Sequence, residues 1–539
     1  MTAPVLVFGA DGADHGIVTE LLAAGRLPTI AGLQSEGAFG SLRSTEPAIT
    51  PVAWTTFLTG LQPGSHGIYN FSTNPYRGGH RILSAADRDG APIWRFLDAA
   101  GLRTVSVLVP FTYPVEPLNG VAISGYGGPV KPVMYPAETA DRINGMFPDL
   151  LSARHSMRDR YWEDFDGFRQ KLLDDVEETE RLCAHLIEAE RPDFFCVDFM
   201  SSDTIGHLAY HLRDTQAPSH DSLQAADHIG QVYEAVDQAV GSLIEHAQEV
   251  YGGPVNAIVI SDHGMQPIYH RFHVNRWLDE RGHLRFRQRS LQRTRGLARI
   301  DSKLALTKSW YPGLYDRLVP FGAAPETADR TMRDVDRWHT DAYAYGTYGP
   351  IFFGEMTGRR KDPAFQQALI DELSEEKNPL GDGPALTIRR GEEVYSGAHL
   401  DRAPDLVLTA NDPRIMIDAS RRAWPEAWMR HTRLSPTYNY GFSGHHGPDG
   451  IIAAAGPGIS NEAIDGAGIQ DLAPSILRLL GVAPETEMDG EALGAFVPAS
   501  ESVSASPAPS AVPAAAGENV YSEDEERAIQ ARLQALGYE

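Results

Sequence analysis

The chain has 539 residues, 42% of them hydrophobic and 22% charged, which excludes both a single small module and a disordered chain. Asp and Glu number 72 against 47 Lys and Arg, a formal charge of -25, so most of the surface repels phosphate backbones and binding of nucleic-acid polymers is not expected.

The N-terminal MTAPVLVFGADG enters a strand-like run at residues 4–9 with no basic region before it, and no run of about 18 apolar residues follows. A cytoplasmic protein without membrane contact is the expectation. Further short apolar runs at 104–109, 194–199, 255–260 and 451–455 alternate with helical patterns at 16–24, 164–189 and 224–249. This alternation predicts an α/β fold with a doubly wound, mostly parallel sheet flanked by helices. Residues 266–340 break the pattern with few strand signals and many basic and aromatic residues, which predicts an inserted cap. The strand-like 342–353 and 406–410 are expected to rejoin the sheet, giving a discontinuous core of 1–265 and 341–498.

Between Arg285 and Lys303 the cap carries seven basic residues against one acid, Asp301. Such a patch suits either a lure for an anionic ligand or an ordinary solvated surface. Residues 499–517 hold little but Ser, Ala, Pro and Val, the composition of a flexible linker. Within 518–539, Ser522 and Glu525 have capping-box spacing and Ile529, Leu533 and Leu536 share one helical face, predicting a tail helix that docks on its own protomer or on a partner. The two cysteines, Cys183 and Cys196, are too few for a disulfide framework and suit buried free thiols. The oligomeric state is not legible.

Four motifs carry chemistry. Asp11 follows the first strand in FGADG, where glycines let other groups approach. Asp203 and His207, in FMSSDTIGH, follow another strand and would share one face of a helical turn. Asp262 and His263 end a third strand in SDHGM, and His445 and His446 lie in SGHHGPDG before a fourth. Each alone also suits a capped turn or a hydrogen-bonded histidine. Together they bring three Asp and three or four His to one sheet, enough for two mixed imidazole and carboxylate sites that suit Zn2+ or Mn2+. Thr50 is the nucleophile candidate: it reads as an N-cap, with Pro51 at the first helical position and Gly60 past the end, so its hydroxyl lies at the positive end of a helix. A cation beside it would acidify that alcohol; without cations a plain cap is the simpler reading.

The phrase TPVAWTTFLTGLQPGSHGIYNF at 50–71, with DTIGH, SDHGM, GHHGPDGI and DLAPSILRLLG, resembles the alkaline phosphatase superfamily, specifically its type I phosphodiesterase/nucleotide pyrophosphatase family. The resemblance spans most of residues 5–496. It implies an alkaline-phosphatase-like fold in which Asp11, Asp262 and His263 hold one metal, Asp203, His207 and His446 hold the other, and Thr50 bridges toward both as nucleophile. His446 rather than His445 takes the ligand place in the family's loop spacing. The family's phosphate-binding Asn would correspond to Asn70, which lies one residue before the matching place, held here by Phe71. The implied activity is cleavage of phosphodiester or nucleotide pyrophosphate bonds in a small phosphate ester or nucleotide, through a phospho- or nucleotidyl-threonine. The alternatives are a phosphomonoesterase or phosphomutase on the same fold, or a catalytically silent binding protein.

Overall fold

The buried apolar runs assemble into one nine-stranded sheet in the computed structural model, which describes residues 3–77, 79–129, 131–147, 164–220, 226–287, 332, 334–419, 426–431, 442–483, 487–497, 504–505 and 520–535. The strand order is Ala463–Gly468, Ala38–Arg43, Asp449–Ala455, Asn256–Ile260, Val5–Ala10, Phe194–Phe199, Thr104–Val107, Gly120–Ile123 and Met134–Tyr135. The strands from Asn256–Ile260 to Gly120–Ile123 run parallel, whereas Asp449–Ala455 runs antiparallel to both neighbours. A strand running against its neighbours begins at the edge where they finish. The residues after Val5–Ala10, Phe194–Phe199 and Asn256–Ile260 therefore meet those before Asp449–Ala455, at the crevice where doubly wound sheets bind ligands.

Alternation along each strand feeds two helical layers. Leu6 and Phe8 share a core with Leu182 and Leu186 of the helix Phe165–Glu190 and with Val236 and Val240 of His228–Tyr251. Val5 and Val7 share another with Trp54 and Phe57 of Thr50–Thr59 and with Ile476 of Leu472–Leu479. Each such fully buried side chain contributes about 1.5–3 kcal/mol relative to exposure. The predicted first helix is His15–Ala23, capped by Asp14, whose carboxylate accepts from Gly16 N and Ile17 N. No single helix among the described residues is long and apolar enough to cross a membrane. Cys183 and Cys196 are buried and free.

Residues 342–353 and 406–410 do not rejoin the main sheet. Gly346, Tyr348 and Gly349 have φ of +91°, +62° and +60°, which folds the first run into a hairpin pairing Ala342 with Phe353 and Ala344 with Ile351. The hairpin joins Leu406–Ala410 and Leu386–Arg390 in a separate four-stranded sheet. Phe272, Trp277, Tyr343, Phe352, Leu408 and Ile417 form the apolar core of this second lobe. Of the basic patch only Arg285 and Arg287 fall among the described residues.

The linker at 499–517 lies outside the described residues except for Ser504–Ala505, which pairs in parallel with Val482–Ala483. The tail helix is Glu523–Ala535, and its capping box forms: Ser522 N donates to Glu525 Oε2 at 2.8 Å and Glu525 N to Ser522 Oγ at 3.3 Å. It docks on its own chain, where Tyr521, Ile529 and Leu533 pack with Phe71, Ile82, Tyr126 and Met200. Tyr521 also donates its hydroxyl to Gly127 O at 2.8 Å. Leu536 lies outside the described residues.

Candidate active site

Asp11 follows Val5–Ala10, Asp262 and His263 follow Asn256–Ile260, and Asp203 and His207 lie on the helix Ser201–Arg213 that succeeds Phe194–Phe199. Their i,i+4 spacing puts Asp203 Oδ1 3.3 Å from His207 Nε2. His446 belongs to Gly444–Gly447, a short strand held against Gly264–Pro267. Strand alternation turns His446 Nε2 toward Asp203 Oδ1, at 3.3 Å, and sends His445 away to the Pro413 carbonyl, at 2.9 Å. All the acidic and imidazole groups of the site are buried.

Two sets of ligand atoms result, Asp11, Asp262 and His263 in one and Asp203, His263 and His446 in the other, each within 4.8 Å of one another. His263 is common to both. His207 stands beside the second set, its Nε2 2.9 Å from His446 Nε2.

The donor chemistry fits cations. His207, His263 and His446 turn Nδ1 to the carbonyls of Gly444, Gly264 and Ala48 at 3.0, 3.1 and 2.8 Å. A carbonyl only accepts, so each Nδ1 carries the hydrogen and each neutral ring presents an Nε2 lone pair to the site. Asp11 Oδ1, both Asp203 oxygens and Asp262 Oδ2 are buried with no hydrogen-bond partner among the described residues. Buried, clustered acceptors without donors are costly, and divalent cations are their natural complement.

The titration behaviour records the same crowding. Burial, then the charges of Asp262, Asp198 and Asp203, raise the Asp11 carboxyl well above the ordinary range, and burial pushes Asp262 up to about 7. Burial also acts to raise Asp203, but the His207 and His446 imidazoles outweigh it and hold that carboxyl low. Burial lowers His263 and His446 to about 4, whereas at His207 the Asp203 carboxylate overcomes burial and raises the imidazole.

The helix that carries Thr50 starts one residue earlier than the sequence reading placed it. Ile49 is the cap, Thr50 is the first helical residue, Pro51 the second, and Gly60 ends the helix at φ +68°. The reason is that Thr50 Oγ1 does not bond back to the first turn but faces His263 Nε2, at 3.4 Å. The fan of free N–H groups is also thin, because Pro51 has none and Val52 N and Ala53 N both donate to Ile49 O at 3.0 Å. One turn on, Trp54 Nε1 donates to Asp11 Oδ2 at 3.0 Å. Trp54 was missed as a site residue, though its i+4 spacing from Thr50 was a usable signal. Asn70 is buried against the 346–349 turn, with Thr347 Oγ1 donating to its Oδ1 at 3.4 Å, and has no hydrogen bond to the ligand residues among the described residues. From the same turn the Tyr348 hydroxyl accepts from His446 N at 2.8 Å.

What the sheet edge gathers is equipment for phosphoryl chemistry, and the chain is a phosphate-ester hydrolase of the alkaline phosphatase superfamily. Residues 5–449 match the family described as type I phosphodiesterase / nucleotide pyrophosphatase, and the chain belongs to that family. Its fold is similar to that of human ectonucleotide pyrophosphatase/phosphodiesterase 5, with a TM-score of 0.52 at 14% identity over 90% of this chain and 97% of that one. The murine counterpart, solved as an inactive threonine-to-alanine form in complex with AMP, gives a TM-score of 0.51 at 15% identity over 91% of this chain and 97% of that one. No curated protein matches the sequence significantly.

Proposed function

We propose that the protein hydrolyses phosphodiester or nucleotide pyrophosphate bonds with two divalent cations, Zn2+ or Mn2+, through a covalent intermediate on Thr50. The observation that carries this reading is the 3.4 Å approach of Thr50 Oγ1 to His263 Nε2, because His263 belongs to both candidate cation sets. Asp11, Asp262 and His263 would hold one cation, and Asp203, His207 and His446 the other. Bound there, the cations supply Lewis-acid stabilisation of phosphoryl charge and acidify the attacking alcohol or water.

The chain's own residues supply position. Thr50 Oγ1 attacks phosphorus in line, its proton passes to solvent, and the bond to the leaving oxygen breaks, giving a phospho- or nucleotidyl-threonine. Water then cleaves the new ester and restores Thr50. The helix beginning at Thr50 directs its positive end at the same centre. The AMP bound to the murine neighbour supports a nucleotide as substrate.

Metal-loaded protein assayed on bis-p-nitrophenyl phosphate, p-nitrophenyl phosphate and a nucleoside triphosphate tests the reading. Faster turnover of the diester or the triphosphate than of the monoester is expected. A preference for the monoester would favour the monoesterase alternative.

A further inference from the structure

The turn at 346–349 closes the hairpin of the second lobe against the site. Two of its residues are glycines, which enter the left-handed region at little cost, but Tyr348 lies there too, at φ +62°. A bulky side chain rarely occupies that region, and such outliers gather at functional sites. This backbone lays the phenol on a patch that includes Ile49 and Val52, the residues on either side of Thr50 and Pro51. Its ring centre lies 6.1 Å from that of His446.

The Tyr348 oxygen accepts a hydrogen bond from His446 N at 2.8 Å. That contact uses a lone pair and leaves the phenolic hydrogen to be donated. No group among the described residues accepts it. The hydroxyl is thus fixed by one residue of the second cation set, whose own Nε2 faces Asp203 at 3.3 Å, while its ring packs against the apolar cluster that includes Ile49 and Val52. A phenol is protonated at neutral pH, and a donor fixed beside a residue of the second cation set suits the negative oxygens of a phosphoryl group.

Resting on the phosphodiesterase reading, we propose that Tyr348 is a further catalytic residue, whose hydroxyl donates a hydrogen bond to a nonbridging oxygen of the phosphoryl group attacked by Thr50. It holds that oxygen during attack and takes no part in bond making.

Tyr348→Phe should lower kcat on bis-p-nitrophenyl phosphate by about 100-fold, the scale for losing one oxyanion donor, while the bound metal stays at the wild-type level. The sharper readout is a chiral phosphorothioate diester, in which sulfur, a poor acceptor, replaces one or the other nonbridging oxygen. The wild-type preference between the two diastereomers should shrink in Tyr348→Phe, because Phe donates to neither. An unchanged kcat, an equal slowing of both diastereomers, or loss of metal together with activity would overturn the proposal. Because Phe also deprives His446 N of its acceptor, a wild-type crystal complex with orthovanadate gives a readout that needs no variant. Tyr348 Oη should lie about 2.7 Å from a vanadate oxygen, and a separation beyond about 3.5 Å overturns the assignment. Wild-type protein that turns over no diester would refute the phosphodiesterase reading instead, and the vanadate complex would still report on Tyr348.

Discussion

His207 Nε2 and His446 Nε2 lie 2.9 Å apart, although each ring already gives its Nδ1 hydrogen to a backbone carbonyl. Two lone pairs at that distance need a proton or a cation between them, and Asp203 Oδ1, 3.3 Å from both, adds negative charge to the same point. The Asp203 carboxylate raises the His207 imidazole and so favours a proton at that point when no cation is bound, and metal binding should displace it. Elemental analysis should find two divalent ions per chain. Asp203→Asn should retain only one, since the other set draws on Asp11, Asp262 and His263. Two retained ions in that variant would contradict the division into sets.

Removing the cations should make stability fall as pH rises through neutrality. A group whose pKa is raised by folding contributes stability below its unfolded value and loses it as pH climbs through the folded one. For Asp262 this window runs from 3.8 to about 7, and Asp11 and His207 shift in the same direction. His263 and His446, lowered from 6.5 to about 4, act oppositely, but their contribution is complete above 6.5. The depressed Asp203 acts only below 3.8. Chelator-treated protein should therefore lose thermal stability as pH rises from about 6.5, while metal-loaded protein holds its Tm. Parallel Tm profiles for the two forms would argue against buried carboxylates awaiting cations.

Trp54 holds Asp11 from the helix that carries Thr50. Trp54→Phe keeps the ring in its apolar surroundings but removes the donor to Asp11 Oδ2. Losing an outer partner of a metal ligand commonly costs 10–100-fold in affinity, so competition with a chelator should show a loss of about that size. Unchanged affinity would mean that the indole serves packing alone.

The tail helix gives a test that leaves the site untouched. Leu533 is 1% exposed at the docking cluster, and Leu533→Ala should weaken docking by about 2–4 kcal/mol. Amide hydrogen exchange over residues 523–535 should accelerate while the strand Val5–Ala10 stays protected. Uniform acceleration across both would show that the tail and the sheet unfold as one unit.

The parallel core and the gathering of the candidate ligands at one sheet edge were legible because both follow from short-range pattern. Apolar runs of strand length lead into Asp11, Asp203 and Asp262, and a parallel sheet aligns such ends. The antiparallel course of Asp449–Ala455 was not legible, yet it explains how a loop that enters a strand brings His446 to residues that leave theirs. The helix start slipped by one residue because Thr50 turns its hydroxyl to His263, 213 positions away, rather than to its own first turn. The four-stranded sheet was missed because GTYG, within an otherwise strand-like run, turns the chain back on itself. Trp54 could have been read from its spacing to Thr50, but the contact of Tyr348 with His446, 98 positions away, leaves no trace in the sequence.

The covalent role of Thr50 is the central claim. Metal-loaded protein mixed with bis-p-nitrophenyl phosphate, acid-quenched during turnover and digested for mass spectrometry, should yield a phosphoryl ester adduct on the peptide containing Thr50. Thr50→Ala should give no adduct, keep both metal ions, and lose at least about 1000-fold in kcat. Substantial turnover by Thr50→Ala would contradict the account.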